Sequence, residues 1–228
     1  MSSAIDLSPL WISLETAAAT IAIVFVLGVV AAWWVERLSS EKAKILIDGI
    51  FTLPMVLPPT VAGFFLLVIF GNNRLVGRFF MDVFDVQIAF SWLATVLAAA
   101  VISFPLMYRS ARGALMQVDK GIMEAGRSLG MTEWRIFWRL HLPNAFPGII
   151  AGGLLAFARG LGEFGATAML AGNIAGKTRT LPLAVYSAVA AGDFDSAGVY
   201  VLIIVTICLA VVIGLNYYQH YMKKRMEE

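Results

Sequence analysis

Five stretches of the chain are apolar for about the twenty residues that a helix, rising about 1.5 Å per residue, needs to cross a bilayer core. They cover residues 16–35, 49–70, 86–107, 145–170 and 197–219. Each reads as a membrane-spanning helix. The fourth is the least regular, because Arg159 and Glu163 interrupt it and Gly160, Gly162 and Gly165 weaken helix within it. A sixth apolar run, residues 181–191, is too short to cross and is predicted to lie as an interfacial helix on one side.

Composition agrees with this pattern. Hydrophobic residues make up 60% of the 228 and charged ones 14%, far below the charged share of a soluble domain. The fold class that follows is all-α: a polytopic membrane protein of about five helices, one transmembrane domain over residues 1–228, with the lipid bilayer as its main solvent. A net charge of +2 is too small to argue for a nucleic-acid partner. The position of the charges says more. Twelve of the 17 Lys and Arg fall in the segments after the first, third and fifth runs, including Lys223, Lys224 and Arg225. Four fall in the segments after the second and fourth, and Arg159 lies inside the fourth run. The positive-inside rule then places the N-terminus outside and the C-terminus in the cytoplasm. No Lys or Arg occurs in the first ten residues, whereas a secretory leader opens on a basic segment, so the first run reads as a retained anchor.

The longest segment between spans, residues 108–144, is the one place with room for a large cytoplasmic partner to grip. Asp119 can cap a short helix that Gly130 stops, and Thr132 can cap a second that Pro143 ends. In the second, Trp134, Phe137 and Trp138 recur at helical spacing opposite Arg135 and Arg139, a pattern that also suits a hairpin lying on the membrane surface. The spacing is more specific. Glu124-Ala125-Gly126 is followed after three residues by Gly130, and after nine more by Leu140-His141-Leu142-Pro143. This resembles the signature loop of ABC importer permeases, Glu-Ala-Ala, three residues, Gly, nine residues, Ile-x-Leu-Pro. Gly126 and Leu140 depart from it. The resemblance implies a type I ABC importer permease fold with a coupling loop at 109–143. In it Glu124, Ala125, Gly126, Gly130, Leu140, Leu142 and Pro143 would engage a separate ATPase subunit.

Other segments extend that resemblance over nearly the whole chain. Leu53-Pro54-Met55-Val56-Leu57-Pro58-Pro59-Thr60-Val61-Ala62-Gly63 and Ala158-Arg159-Gly160-Leu161-Gly162-Glu163-Phe164-Gly165-Ala166-Thr167 look like the molybdate permeases, with tungstate permeases also close and sulfate and thiosulfate permeases as looser matches. The family implies a second copy of the chain, an external oxyanion-binding protein, the inner membrane as location, and molybdate as cargo. From the residues themselves, Pro54, Pro58 and Pro59 remove three backbone donors from the second run, so it must kink or unwind, and Pro58, Pro59 and Thr60 become candidates for a gate. A fixed kink explains the prolines equally well. Arg159 and Glu163 stand four apart and can pair, and they join the pathway or gate candidates, Arg159 guiding a dianion or the pair breaking on opening; because Glu163 would largely cancel the attraction of Arg159 for anions, a permanent ion pair is the simpler reading. Gly148 and Gly152 allow close helix approach.

Rival classes find less support. Residues 171–178 fit a relaxed phosphate-loop pattern ending in Lys177-Thr178, but they follow a membrane span rather than a buried strand. His141 and His220 are the only histidines and Cys208 the only cysteine, so no metal site, disulfide, cofactor site or catalytic constellation is suggested. A secondary transporter should show internal repeats and several intramembrane ionisable groups, and only the Arg159 and Glu163 pair is present.

Overall fold

The computed structural model describes residues 5–227. All of its regular elements are helical: α1 (Ser8–Glu36), α2 (Glu41–Val56), α3 (Pro59–Phe70), α4 (Leu75–Phe84), α5 (Trp92–Met116), α6 (Lys120–Ser128) and α7 (Glu133–Ile136). A π-helical turn (Phe137–His141) then leads into α8 (Leu142–Leu161), followed by α9 (Gly165–Leu170), α10 (Leu181–Ala190) and α11 (Phe194–Glu227). Four of the described helices are long and apolar enough to cross a membrane, and α2 with α3, bent by 111°, is a broken pair that counts as a fifth if the two make one span.

The apolar runs located these crossings but misplaced several ends. The second run breaks at Leu57, because a residue before proline is pushed out of the helical region and two consecutive prolines follow. The third crossing starts at Trp92 rather than 86 and stays helical to Met116, past Arg109 and Arg112. Pro143 does not end a helix. The π turn lets the Leu142 N–H reach the Phe137 carbonyl, and the wider turn accommodates a proline that an α-helix interior would reject. Helix therefore runs from Glu133 through to Leu161. The fourth run then breaks between Gly162 and Phe164, so 145–170 is not one continuous helix.

α5 is the central helix, carrying the buried small residues Ala94, Ala98, Ala99, Ser103 and Ala111. Small side chains let neighbouring backbones approach, which drives packing where lipid removes the hydrophobic incentive. Gly28 of α1 sits where a Cβ would lie 2.6 Å from Met107 Cγ, and Gly148 of α8 where one would lie 2.8 Å from Ala114 Cβ. Gly152 is likewise closed against Ser110, so the Gly148 and Gly152 pair serves packing inside one chain. Thr16 and Thr95 hydroxyls, 2.9 Å apart, add a buried bond between α1 and α5, worth about 0.6 kcal/mol in such settings.

The short run at 181–191 forms α10, but its Leu181, Leu183 and Ala184 are buried and the Leu181 N–H donates to Ser13 Oγ at 2.7 Å, so it is docked on protein. Tyr200 at the start of α11 donates to the Asp6 carbonyl at 2.8 Å, which puts the beginnings of α1 and α11 on one side. The Ser8 backbone N–H, and then its hydroxyl, hold the Asp6 carboxyl below the usual carboxylate range and pin the first turn of α1.

Candidate functional site

Two interrupted helices meet. On one side α2 ends in extended backbone at Leu57 and α3 starts at Pro59, where a missing N–H costs nothing because first-turn donors have no intrahelical partner. On the other side α8 stops at Leu161 and Glu163 begins the next piece: its Oε1 accepts the Ala166 N–H at 2.8 Å and so caps α9. Glycines fit the two breaks together. A Cβ on Gly165 would lie 3.0 Å from Pro59 Cβ and 3.1 Å from Thr60 N, and one on Gly63 would lie 2.7 Å from Ala166 Cα. The Pro-Pro-Thr and Glu-Phe-Gly segments are thus one contact, though about a hundred residues separate them.

Arg159 lies beside this contact. Its Nη1 is 2.9 Å from Glu163 Oε2, an ion pair without the alignment of a hydrogen bond. The two partners differ in access: the Glu163 side chain is 1% exposed, the Arg159 side chain 37%. Arg159 lines a cavity of about 310 Å³ together with Pro54, Met55, Leu57, Pro59, Ile102 and Leu106, and is its only charged wall. Pro58 and Thr60 are exposed at the hinge itself. The ion pair and the break at the prolines expected from the sequence both exist; what spacing could not reveal is that they share a cavity.

A second candidate surface is α6 and the turn after it. Asp119 accepts from the Gly121 N–H at 2.8 Å and caps the helix as expected. At the other end the Gly130 N–H reaches the Arg127 carbonyl at 2.9 Å and the Met131 N–H the Gly126 carbonyl at 3.1 Å, with Gly130 at φ +75°. This is a Schellman turn, and its left-handed residue strains any side chain with a Cβ. Glu124, Ala125 and Leu129 are exposed, Leu129 to 81%. Gly126 is not: it faces inward, where a Cβ would lie 2.8 Å from Leu140 Cδ1 and 3.2 Å from Ile136 Cγ1. Leu140 and Leu142 are partly buried on the following helix, and Pro143 is exposed there.

The two departures from the loop signature therefore touch each other, the longer reach of Leu140 occupying space that an alanine methyl at 126 would need. Gly126→Ala alone is expected to realise little of the roughly 1 kcal/mol of helix propensity it offers, and Gly126→Ala with Leu140→Ile to realise most of it. A double-mutant cycle on thermal unfolding should give a coupling of at least about 0.5 kcal/mol; strict additivity would sink the idea.

Ion pairs tie α6 to the bundle. Arg127 binds Glu133 through two bonds of 2.7 and 3.3 Å, Glu133 also lies 3.6 Å from Arg37, and Arg37 stacks over Trp33 at 4.3 Å. The aromatic stripe packs here too, Phe137 buried with its ring 4.8 Å from that of Trp33. His141 is half-buried and its Nε2 meets the Leu115 carbonyl at 3.0 Å. Next to this, Arg112 binds Glu36 and Asp48, both at 2.7 Å, and Tyr108 donates to Asp48 at 3.0 Å. No sequence signal points to that cluster, whose members come from three helices.

The phosphate-loop look-alike is a self-bonded turn with no strand before it. Thr178 Oγ1 accepts from the Ile174 N–H and Arg179 donates to Asn173, while Lys177 is exposed. Among the described residues no group of three or more His, Cys, Asp or Glu could hold a metal ion.

The model of the family described as binding-protein-dependent transport system inner membrane component matches residues 10–228. The molybdenum transport system permease protein ModB of Escherichia coli (strain K12) is 44% identical over 208 residues, 90% of each chain. A putative molybdenum transport system permease of Bacillus subtilis (strain 168) is 42% identical over 200 residues, 88% of each. The sulfate transport system permease protein CysT of Escherichia coli (strain K12) is more distant, 32% identical over 88% of this chain and 72% of its own. Among solved structures, an inward-facing MetNI methionine ABC transporter aligns with TM-score 0.72 at 17% identity, over 93% of this chain and 94% of that one. A bacterial alginate ABC transporter in complex with its alginate pentasaccharide-bound periplasmic protein aligns with TM-score 0.73 at 14% identity, over 98% and 81%.

Proposed function

The chain belongs to the binding-protein-dependent transport system inner membrane component family, and on that premise we propose that it is the permease subunit of an ABC importer that moves molybdate across the inner membrane. The observation that carries the cargo reading is the identity gap: above 40% to molybdenum permeases from two organisms, against 32% to a sulfate permease over a shorter share of that protein. Tungstate, a dianion of the same shape, is the alternative cargo. ATP would be hydrolysed by a separate subunit, and an external binding protein would supply affinity.

In this reading α6 is the element gripped by the ATPase. Glu124 and Ala125, with the exposed Leu129, present its outer face, Gly130 holds the turn, and Gly126 seats it against Leu140 of the following helix, which continues through Leu142 and Pro143. The basic residues Arg37, Lys42, Lys44, Arg109, Arg127 and Arg135 at that end support a cytoplasmic placement, with the N-terminus outside. The interrupted helices would form the gate, Pro58, Pro59 and Thr60 on one side and Arg159 with Glu163 on the other. A single chain leaves Thr60 and Arg159 open at membrane depth, where backbone breaks and charge must meet protein or water, and this supports a homodimer.

Reconstitution with the ATPase and a binding protein tests the proposal. Molybdate and tungstate should stimulate ATP hydrolysis and uptake; stimulation by sulfate alone would overturn the cargo. Glu124→Lys should leave the chain inserted but weaken co-purification of the ATPase about tenfold, the worth of one lost charge-assisted contact. Wild-type stoichiometry and transport in that variant would remove α6 from the interface.

A further inference from the structure

We infer that Arg159 is a transient contact for the tetrahedral dianion where the two interrupted helices meet, and that Glu163 restrains the guanidinium without competing for the cavity. The inference rests on the oxyanion-permease reading and assigns that reading a residue.

A guanidinium at membrane depth has to face protein or water, since facing lipid is costly. Arg159 does both. One nitrogen lies 2.9 Å from Glu163, the side chain as a whole is 37% exposed, and Arg159 lines the cavity of about 310 Å³ beneath the break at the prolines. Glu163 is enclosed: one oxygen caps α9, the other faces Arg159, and the side chain is 1% exposed. An anion entering the cavity meets donors and no carboxylate. The other walls, Pro54, Leu57, Pro59, Ile102 and Leu106, offer no positive charge of their own. The start of α3 opens onto the same space and adds the positive end of its dipole, although Pro59 removes one N–H donor there. The result is a site of one partly neutralised cation.

Such a site is suited to passage. A dianion losing its hydration shell needs a compensating charge at the narrow point, but several uncompensated arginines would retain it. The pairing with Glu163 lowers the field at the cavity while holding the side chain in one place, so attraction is short-ranged and release is fast. The permanent ion pair expected from the sequence and the anion contact are then the same structure, divided by access rather than by alternative states.

The test uses the complete importer reconstituted with ATPase and binding protein, measuring molybdate uptake and basal ATP hydrolysis for Arg159→Gln, Arg159→Lys and Arg159→Gln/Glu163→Gln. Uptake should fall at least about tenfold in Arg159→Gln, equivalent to about one hydrogen bond to a charged group. Arg159→Lys should recover part of it. The double variant should stay low. It also removes the unpaired buried carboxylate, so it remains informative if Arg159→Gln does not fold. Recovery of uptake in the double variant would overturn the inference, because a purely structural pair is repaired when both charges go; so would wild-type uptake in Arg159→Gln. A wild-type complex that carried no oxyanion would instead sink the cargo reading on which the inference stands.

Discussion

Gly63→Val is expected to abolish transport and to lower sharply the yield of folded permease in detergent. A Cβ at 63 would lie 2.7 Å from Ala166 Cα, 3.0 Å from Ala166 O and 2.9 Å from Met169 Cβ. Two of those three atoms belong to backbone, which cannot rotate away. Forcing α3 off α9 costs about 1–3 kcal/mol for one added methyl and more for a branched side chain. It also separates the Pro59–Thr60 hinge from the Glu163 turn, so the expected loss exceeds that of a simple packing defect. Gly63→Ala should show an intermediate defect. Gly49→Ala is the control, because a Cβ there meets nothing within 4 Å. Size-exclusion profiles and uptake would decide the matter: normal values for Gly63→Val would mean that α3 and α9 do not pack as described.

Arg112→Leu should be the most destabilising single change among the charged residues near the end of α5. It leaves Glu36 and Asp48 without their shared cation. Removing one partner from a fully buried pair costs about 3–5 kcal/mol, and the 22–30% exposure of these side chains reduces that to about 2 kcal/mol. In a chain of this length the midpoint of thermal unfolding should drop by about 4–8 °C. Arg112→Leu combined with Glu36→Gln and Asp48→Asn should regain most of it, because the uncompensated charges are gone. An unchanged midpoint in the single variant, or no recovery in the triple one, would show that the cluster contributes little. Lysine at 112 should be an incomplete substitute, since it lacks the planar fork that reaches two carboxylates at once.

The sequence reading succeeded where the signal is local. The crossing helices announce themselves as apolar runs of bilayer length, and the caps at Asp119 and Thr132 and the turn at Gly130 depend on residues within a few positions of each other. It failed where a local rule met a compensation. Pro143 was expected to end a helix, but the π turn before it removes the clash, and no residue type specifies a π turn in advance. Hydropathy also misplaced the third crossing, because Arg109 and Arg112 look like a loop until α1 and α2 provide Glu36 and Asp48 for Arg112.

By itself, then, the sequence determined the membrane class, the apolar segments of bilayer length and the family, since runs, charge bias and motif spacing are all properties of the chain read in order. Only the tertiary structure decided that the hinge at Pro58 and the turn at Glu163 are one site, that Gly126 turns inward while Glu124 and Ala125 face out, and that Arg159 reaches the cavity while Glu163 does not. The reason is physical. Access and close approach are set by what a distant segment places against a residue, and a glycine records only that a neighbour is near, never which one.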